Sequence, residues 1–325
     1  MAFESILAQE PAVEALKRAL RSGRVHHAYR FEGPSGVGKE LTALAFAQSL
    51  LCEGDGPLAC NRCRACERAV TFSNDPPLVP RHPDLLLVAK GLYPPAVLGT
   101  THAETTSIGI EQVRRLVLAR VGYPPHEGRA IVCIVRDAEE LSTQAANALL
   151  KTVEEPGDRM YFVLLTSRPD QLPDTLRSRT LAVRFGRLPD SVIETLLQRH
   201  GAPTEVAALA QGSMSLALQL AEPEQMQTRE AFVRAILEAI AADDLATALE
   251  SVETRAMPRD TLREHLGYLA HALAERSREA VRTEGRQAER AAHQYQNVLV
   301  AMRELTRNAQ PALVLEALMT RLRSA

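Results

Sequence analysis

Tryptophan is absent from the sequence, and aromatic residues make up only 4% of its 325 residues. Aromatic and β-branched residues favour strands, whereas alanine, leucine, arginine and glutamate, which are abundant here, favour helices. The composition therefore predicts a mostly helical protein with a smaller sheet. Because 46% of the residues are hydrophobic, the chain can fill the cores of two ordinary domains or three small ones.

The chain also lacks a large net charge of either sign. Lysine and arginine number 38 against 40 aspartates and glutamates, which leaves a formal charge of −2. No chain-wide basic field is therefore available to drive nucleic-acid binding through counterion release. We expect any contact with DNA to be local.

Long apolar runs are missing as well. None of them approaches the roughly 18 residues that a membrane span needs. Glu4 and Glu10 lie where the apolar part of a secretory signal would be. We therefore expect a cytoplasmic protein that does not contact a membrane.

Short apolar runs alternate with helical patterns over residues 1–187. This alternation predicts an α/β domain with a doubly wound parallel sheet. The stretch 52–107 is rich in cysteine, proline and glycine, and we interpret it as an insertion without a long helix. The predicted strands are 28–32, 130–135, 161–166 and 181–185, and the predicted helices are 11–20, 41–51, 110–121, 142–155 and 173–178.

Strand patterns end at about residue 187, and helical patterns continue to the end of the chain. Pro258 and Pro311 are the firm breaks in this second part. We predict three domains: an α/β domain over 1–187, a small helical lid over 188–243 and a helical collar over 244–325.

A glycine-rich loop lies between the first predicted strand and the helix that follows it. Its pattern, G-x-x-x-x-G-K, is typical of a phosphate-binding loop, in which backbone N–H groups and a helix N-terminus face phosphate oxygens. The candidate nucleotide-binding residues are Gly33, Pro34, Ser35, Gly36, Val37, Gly38, Lys39 and Glu40 in the loop and Asp137 after a later strand.

Two departures weaken this nucleotide site. Glu40 follows the lysine, where a serine or threonine hydroxyl would bind Mg²⁺, and it could instead bind a metal or turn outward. After strand 130–135, Arg136-Asp137 replaces the expected pair of acids, and an arginine cannot bind Mg²⁺. Binding of ATP or ADP is therefore doubtful, and the loop is either a degenerate site or a glycine turn that never bound a nucleotide.

Four of the five cysteines fall within residues 52–66. Cys52, Cys60, Cys63 and Cys66 have the spacing of thiolates that converge on one tetrahedral Zn²⁺. We predict a structural zinc site that is closed by four protein ligands and has no catalytic water. An iron–sulfur cluster and unligated thiols are the alternatives, and Cys133 fits a buried strand position.

Several motifs together carry a family resemblance. Residues 147–156 (NALLKTVEEP) and 175–179 (TLRSR) are the most specific, and shorter matches lie at 3–9, 26–29 and 82–84. The sequence resembles the clamp-loader branch of the AAA+ ATPases. Within that branch, its departures resemble those of the delta-prime subunits of bacterial DNA polymerase III, whose phosphate loop and acid pair are typically impaired.

The resemblance implies a subunit of a five-membered ring. In such a ring the delta-prime subunit is a non-hydrolysing stator beside the gamma/tau motor subunits and the delta subunit. The ring opens the sliding clamp and places it on primed DNA, so DNA is contacted mainly through the assembly. We therefore expect no ATPase activity from the chain alone, which would work as part of the polymerase III holoenzyme.

The same resemblance implies a role for Arg179. Delta-prime subunits offer an arginine finger from a Ser-Arg-Cys motif to the ATP of the adjacent motor subunit, and this sequence has Ser178-Arg179-Thr180. A guanidinium supplied in trans stabilises the charge on the transferring phosphoryl group. Without the flanking motif, an ordinary surface cation would be the simpler interpretation.

Two other functions stay open at this point. An ATP-hydrolysing motor subunit of the gamma/tau kind would use Glu40 and Asp137 in place of the missing groups. Against this, Ser215 occupies the position where the motor subunits carry a sensor arginine. The less favoured alternative is a zinc-dependent DNA-binding module.

Overall fold

Five strands form one parallel sheet with the order β2-β3-β4-β1-β5. In register, Ala28 of β1 lies opposite Phe162 of β4, and Tyr29 lies opposite Leu181 of β5. The predicted doubly wound α/β fold is therefore confirmed. The strands are β1 (Ala28–Glu32), β2 (Leu85–Val88), β3 (Ile131–Val135), β4 (Met160–Thr166) and β5 (Leu181–Arg184).

The structure is a computed structural model that describes residues 3–101, 106–157, 159–241, 257–281, 285–307 and 309–323. Contacts divide the chain into two units, Met1–Leu196 with Gln211–Ser215 and Leu197–Ala210 with Leu216–Ala325. The predicted boundary between residues 243 and 244 lies outside the described residues. The division into three domains stays a prediction.

Helices flank the sheet, and the later part of the described chain consists mainly of helices. In the first part they are α1 (Glu10–Ser22), α2 (Lys39–Leu51), α3 (Arg64–Val70), α4 (Pro95–Leu98), α5 (Ile110–Gln112), α6 (Thr143–Glu154), α7 (Asp174–Arg177) and α8 (Asp190–Arg199). The later helices are α9 (Met214–Leu220), α10 (Pro223–Ala241), α11 (Arg259–Val281), α12 (Gly285–Thr306) and α13 (Pro311–Arg323).

Both faces of the sheet are buried, and successive strand residues serve opposite faces. Phe31 of β1 and Val163 of β4 pack in the same cluster as α1 and α2. Phe162 of β4 packs on the other face with Leu149 of α6. Cys133 is fully buried in this second cluster, as its strand position predicts.

The second unit has its own core. Helices α10, α11, α12 and α13 contribute a cluster of buried aliphatic side chains that includes Leu266, Leu273, Val298, Leu305 and Leu318. The apolar face of α13 packs inside this unit. In the described part of the chain, no helix is both long and apolar enough to cross a membrane.

Two elements differ from the sequence prediction. The stretch 52–107 contains a strand, β2, which pairs with β3 at one edge of the sheet. Its four residues are too few to show alternation, and neighbouring prolines obscure them. The predicted helix 110–121 is irregular, because α5 continues into a π-helical turn (Val113–Val117) and a 3₁₀ turn (Leu118–Arg120).

A buried carboxylate fastens the start of β2. The side chain of Asp84 accepts hydrogen bonds from the backbone N–H groups of His126, Glu127 and Gly128 at 2.7 to 2.9 Å and from Arg120 at 2.8 Å. Burial alone would raise the pKa of Asp84, but these donors outweigh it and lower the pKa to about 2. The carboxylate thus ties the loop before β3 to β2.

We predict that Asp84→Asn lowers the free energy of unfolding by about 2 kcal/mol at neutral pH, because an amide oxygen cannot accept all four donors. The depressed pKa stabilises the fold above the ordinary pKa of 3.8, and this contribution disappears as the pH falls towards about 2. Urea unfolding across this range should therefore show a difference between the two proteins that shrinks in acid. Exposed Asp170→Asn is the control, and an equal loss there would contradict the assignment.

Candidate functional site

The phosphate loop joins β1 to α2, so it lies at the carboxyl ends of the parallel strands, which we call the carboxyl edge of the sheet. A Cβ atom at Gly33 would lie 2.4 Å from the backbone oxygen of Phe185, a separation that real Cβ atoms do not show. Gly38 has a φ of 98° and directly precedes α2. Both positions therefore require glycine for local reasons of space or backbone conformation.

Lys39 is folded back onto its own loop. Its Nζ donates hydrogen bonds to the backbone oxygens of Gly33 and Pro34, each at 2.6 Å. Burial lowers the pKa of Lys39, and the nearby carboxylates of Glu139 and Asp137 partly oppose this change. The lysine therefore already has acceptors from the loop itself.

Glu40 and Arg136, the two departures from the nucleotide-site pattern, contact each other. The Nε of Arg136 donates to Oε1 of Glu40 at 2.9 Å, and Nη2 of the same guanidinium contacts the same oxygen. The two side chains are about one third exposed. The sequence presents these as separate changes 96 residues apart, and the structure joins them in one ion pair.

Asp137 and Glu139 both follow β3, and Asp137 lines a cleft beside the phosphate loop. Asp137 has a left-handed backbone conformation with a φ of 43° and precedes a 3₁₀ turn, Ala138–Glu140. Glu139, which the sequence prediction did not include, is buried and accepts hydrogen bonds from Ser167 N at 3.1 Å and Ser167 Oγ at 2.7 Å. Burial would raise the pKa of Glu139, but these hydrogen bonds lower it overall. The run of acids after β3 is the signal that could have found it.

The cleft at this edge has a volume of about 540 Å³. Charged groups of both signs face it, so it carries no strong excess of positive charge. Its lining includes Ser35, Gly36, Gly38, Lys39, Glu40, Arg136, Asp137 and Ser215.

A segment of the same unit packs directly on the loop. The backbone N–H of Met214 donates to the oxygen of Gly36 at 2.9 Å. A Cβ at Gly36 would lie 2.1 Å from Ser215 Oγ and 2.4 Å from Ser213 Oγ. The position that carries a sensor arginine in the motor pattern is thus occupied by a small hydroxyl side chain that touches the loop.

The four clustered cysteines converge in space. Their Sγ atoms all lie within 4.8 Å of one another, with Cys52 to Cys63 at 4.0 Å and Cys60 to Cys66 at 3.9 Å. A tetrahedral ion with bonds of about 2.3 Å to sulfur would separate its ligands by about 3.8 Å. A disulfide bond would need about 2.05 Å. The cluster therefore has the dimensions of a site that could hold a metal ion.

Backbone N–H groups point at these sulfur atoms. Gly54 and Cys60 each donate to Cys52 Sγ at 3.3 Å, and Cys66 donates to Cys63 Sγ at 3.4 Å. Backbone donors also lower the pKa of Cys60 to about 6, whereas burial raises the pKa of Cys66. The backbone N–H groups at Cys52, Cys60 and Cys63 stabilise the thiolate form that binds metal, and burial at Cys66 opposes it.

Arg179 lies between α7 and β5, at the amino ends of the parallel strands, which we call the amino edge of the sheet. Its Nη1 donates to Thr175 O at 3.0 Å and to Ser178 Oγ at 3.2 Å, and its Nε pairs with Glu154 at the end of α6. The side chain is 40% exposed. Arg179 is therefore both accessible and held in place.

The surroundings of Arg179 belong to the amino ends of β1 and β5. A cleft of about 430 Å³ contains Arg179 and the two histidines that precede β1, His26 and His27. Thr180, where the resembled motif has cysteine, accepts a hydrogen bond from Arg30 Nη1 at 2.7 Å. Thr180 therefore helps fix the chain beside Arg179.

Arg179 cannot serve the phosphate loop of its own chain. The loop follows the carboxyl end of β1, whereas Arg179 borders the amino end, and β1 is five residues or about 16 Å long. An arginine side chain does not span that distance. Any phosphate that Arg179 contacts must belong to another molecule.

The sheet order, with a phosphate loop after β1 and an acid after β3, defines a P-loop protein of the AAA+ class. Residues 8–189 match the model of a family described as "DNA polymerase III, delta subunit". The match covers more than half of the chain. The chain belongs to this family of clamp-loader subunits.

Individual relatives agree with this family. The gamma/tau subunit of Mycobacterium tuberculosis DNA polymerase III is 36% identical over 197 residues, 61% of this chain and 31% of that protein. The delta' subunit of Escherichia coli is 29% identical over 254 residues, 76% of this chain and 70% of that protein. The chain thus spans about a third of the length of the gamma/tau relatives that it matches.

A solved structure can also be aligned with nearly the whole chain. It is a DNA polymerase III gamma subunit-related protein of Thermotoga maritima, with a TM-score of 0.47 and 17% identity. The alignment covers 96% of this chain and 98% of the other.

We predict that Gly36→Ala destabilises the protein more than Gly38→Ala does. Both glycines have positive φ, 72° and 98°, so either alanine adds backbone strain of about 1 to 2 kcal/mol. At Gly38 a Cβ meets nothing within 4 Å, whereas at Gly36 it collides with Ser213 and Ser215. The collision should add about 1 to 3 kcal/mol to the loss of unfolding free energy in urea. Equal losses would show that residues 213–215 do not pack on the loop.

Proposed function

We propose that this chain is the non-hydrolysing stator subunit of a DNA polymerase III clamp loader and supplies Arg179 in trans to a neighbouring ATPase subunit. The observation that carries this proposal is the position of Arg179. It is exposed at the amino edge of the sheet, at the far end of β1 from its own loop. An arginine in that place can act on a nucleotide only if a second subunit brings the nucleotide to it.

The chemistry of the finger is charge stabilisation. When a phosphoryl group is transferred, negative charge spreads over its oxygens, and a guanidinium placed beside them lowers the barrier. In the isolated chain Glu154 occupies the Nε side of Arg179. We propose that the phosphate of the neighbouring subunit replaces Glu154 as the partner of Arg179.

The loop of this chain supports the non-hydrolysing part of the proposal. Arg136 occupies the position of the acid that binds Mg²⁺, and a guanidinium has no lone pair to offer a metal. Ser215 replaces the sensor arginine of the motor pattern. Lys39 is occupied by Gly33 and Pro34 of its own loop.

The partners follow from the family. We propose that the chain assembles with gamma/tau motor subunits and a delta subunit in a five-membered ring. This ring loads the sliding clamp onto primed DNA in the cytoplasm. We further propose that residues 188–243 form a lid domain and 244–325 the collar domain through which the ring is held.

A second candidate is an ATP-hydrolysing motor subunit. Its support is the 36% identity to a gamma/tau subunit. Turnover of ATP by the purified chain, abolished by Lys39→Ala, would establish it. We favour the stator because the motor would need Glu40 and Asp137 to hold a metal against the charge of Arg136.

We also propose that the ion of the cysteine cluster is Zn²⁺. Four sulfur ligands in a tetrahedral arrangement are typical of structural zinc sites. Because all four positions come from the protein, the ion would fasten the end of α2 to α3 and would not bind a substrate.

Our prediction for the finger is that Arg179→Ala lowers the DNA-stimulated ATPase of the reconstituted ring without preventing assembly. Arginine fingers contribute about 10³ to 10⁵ to the rate of the site they serve. Because other sites in the ring keep their own fingers, the total rate should fall by the share of the one affected site. Single-turnover hydrolysis at that site gives the full loss.

The matched control is Arg177→Ala. Arg177 is two residues away, is also partly exposed and pairs with Asp174 at 3.1 Å. Its removal should leave both the assembly and the ATPase rate unchanged. The assignment of Arg179 as the finger is refuted if rings with Arg179→Ala and rings with Arg177→Ala hydrolyse ATP equally fast.

For the metal, we expect about one equivalent of zinc per purified chain by elemental analysis. Cys63→Ala should reduce zinc retention more than tenfold during dialysis against a chelator, since three ligands hold the ion less tightly than four. Cys133→Ala is the control, because it also removes one thiol but from a buried strand. Unchanged zinc in the Cys63 variant would rule the cluster out as the binding site.

A further inference from the structure

The Mg²⁺ site of an ATPase phosphate loop has two protein ligands. One is the hydroxyl that follows the loop lysine, and the other is the acid that ends a neighbouring strand. In this chain the two positions belong to Glu40 and Arg136. Whether a metal can lie there depends on what these two side chains do.

The two side chains face the same point. Nε and Nη2 of Arg136 both contact Oε1 of Glu40, with the Nε contact at 2.9 Å. The start of α2 and the residue that follows β3 are therefore close enough for their side chains to meet. The space between them is bridged by a side-chain ion pair.

The residues present do not fit a divalent cation. Arg136 offers no lone pair, repels a metal and engages the carboxylate of Glu40. Of the remaining charged groups that border the cleft, Lys39 is a further cation. Apart from Glu40, the acid that lines the cleft is Asp137. The buried Glu139 accepts from Ser167 through Oε1, its Oε2 has no hydrogen-bond partner among the described residues, and it is not part of the described lining.

We infer that the Glu40–Arg136 ion pair replaces the loop's Mg²⁺ site as one unit and excludes divalent cations from it. The two substitutions are coupled. Replacing only Glu40 with the hydroxyl residue of the ATPase pattern leaves an unpaired guanidinium in the cleft. Replacing only Arg136 with an acid brings a new carboxylate beside those of Glu40 and Asp137. The inference deepens the proposed function. It rests on that proposal in one respect, namely that this chain does not hydrolyse ATP.

The test uses Mn²⁺ as a probe for Mg²⁺ and follows free Mn²⁺ by electron paramagnetic resonance. The full chain is first loaded with zinc so that the cysteines are filled, and it is titrated with and without ADP. The unaltered chain should bind no Mn²⁺ in the cleft. Arg136→Asp should bind Mn²⁺ at least tenfold more tightly, because it sets a new carboxylate beside Glu40 and Asp137.

The paired reversal completes the test. Glu40→Thr alone should gain no Mn²⁺ affinity, because Arg136 stays in the cleft. Combined with Arg136→Asp, it should give Mn²⁺ binding that tightens when ADP is present. If Glu40→Thr alone bound Mn²⁺ as well as the double variant, the two positions would not act as a unit and the inference would be wrong.

The matched control is Arg114→Asp. Arg114 forms an exposed ion pair with Glu111 at 2.8 Å, so this change also sets two acids side by side but away from the loop. It should not gain Mn²⁺ affinity. Arg136→Ala is the second variant in case Arg136→Asp does not fold, and it should also bind Mn²⁺ more tightly than the unaltered chain.

Three further results would overturn the inference: Mn²⁺ binding by the unaltered chain as tight as by Arg136→Asp, an equal gain in Arg114→Asp, or no gain in a folded Arg136→Ala. The titration needs no other subunit. Its failure is therefore separate from failure of the stator proposal, which is decided by the ATPase of the ring.

Discussion

The parallel pairing of β1 between β4 and β5 is the constraint on which the rest of the first unit depends. Parallel strands place all their carboxyl ends at one edge and all their amino ends at the other. The phosphate loop and the residues after β3 therefore meet at one edge, and Arg179 lies at the other. The same pairing that builds the sheet separates the glycine-rich loop at one end of β1 from the exposed Arg179 at the other.

At the carboxyl edge, three charged side chains of the cleft are paired with near neighbours. Glu40 is paired with Arg136, and Lys39 with the carbonyls of its own loop. These contacts use short-range geometry, so they do not depend on the small net charge of the chain. The amino edge differs, because Arg179 there pairs with Glu154 in an ion pair whose two side chains are both about 40% exposed.

The sequence predicted the sheet, the loop and the cysteine cluster because each has a local pattern. Four of the five strands follow such patterns, most clearly the apolar run of β3, and the four cysteines are close along the chain. Strand β2 was missed because four residues between prolines carry too little pattern. The Glu40–Arg136 pair could not be predicted, because it depends on how β3 and the loop meet in space, which no local spacing reports.

The phosphate loop also has a structural role in this fold, apart from any ligand. Gly33 permits close packing against Phe185, and Gly36 permits the approach of residues 213–215. The loop lysine donates to the carbonyls of Gly33 and Pro34, and Gly38 supplies the positive φ that precedes α2. Each named position of the G-x-x-x-x-G-K pattern thus has a local structural role, and the pattern is evidence of the fold before it is evidence of a nucleotide.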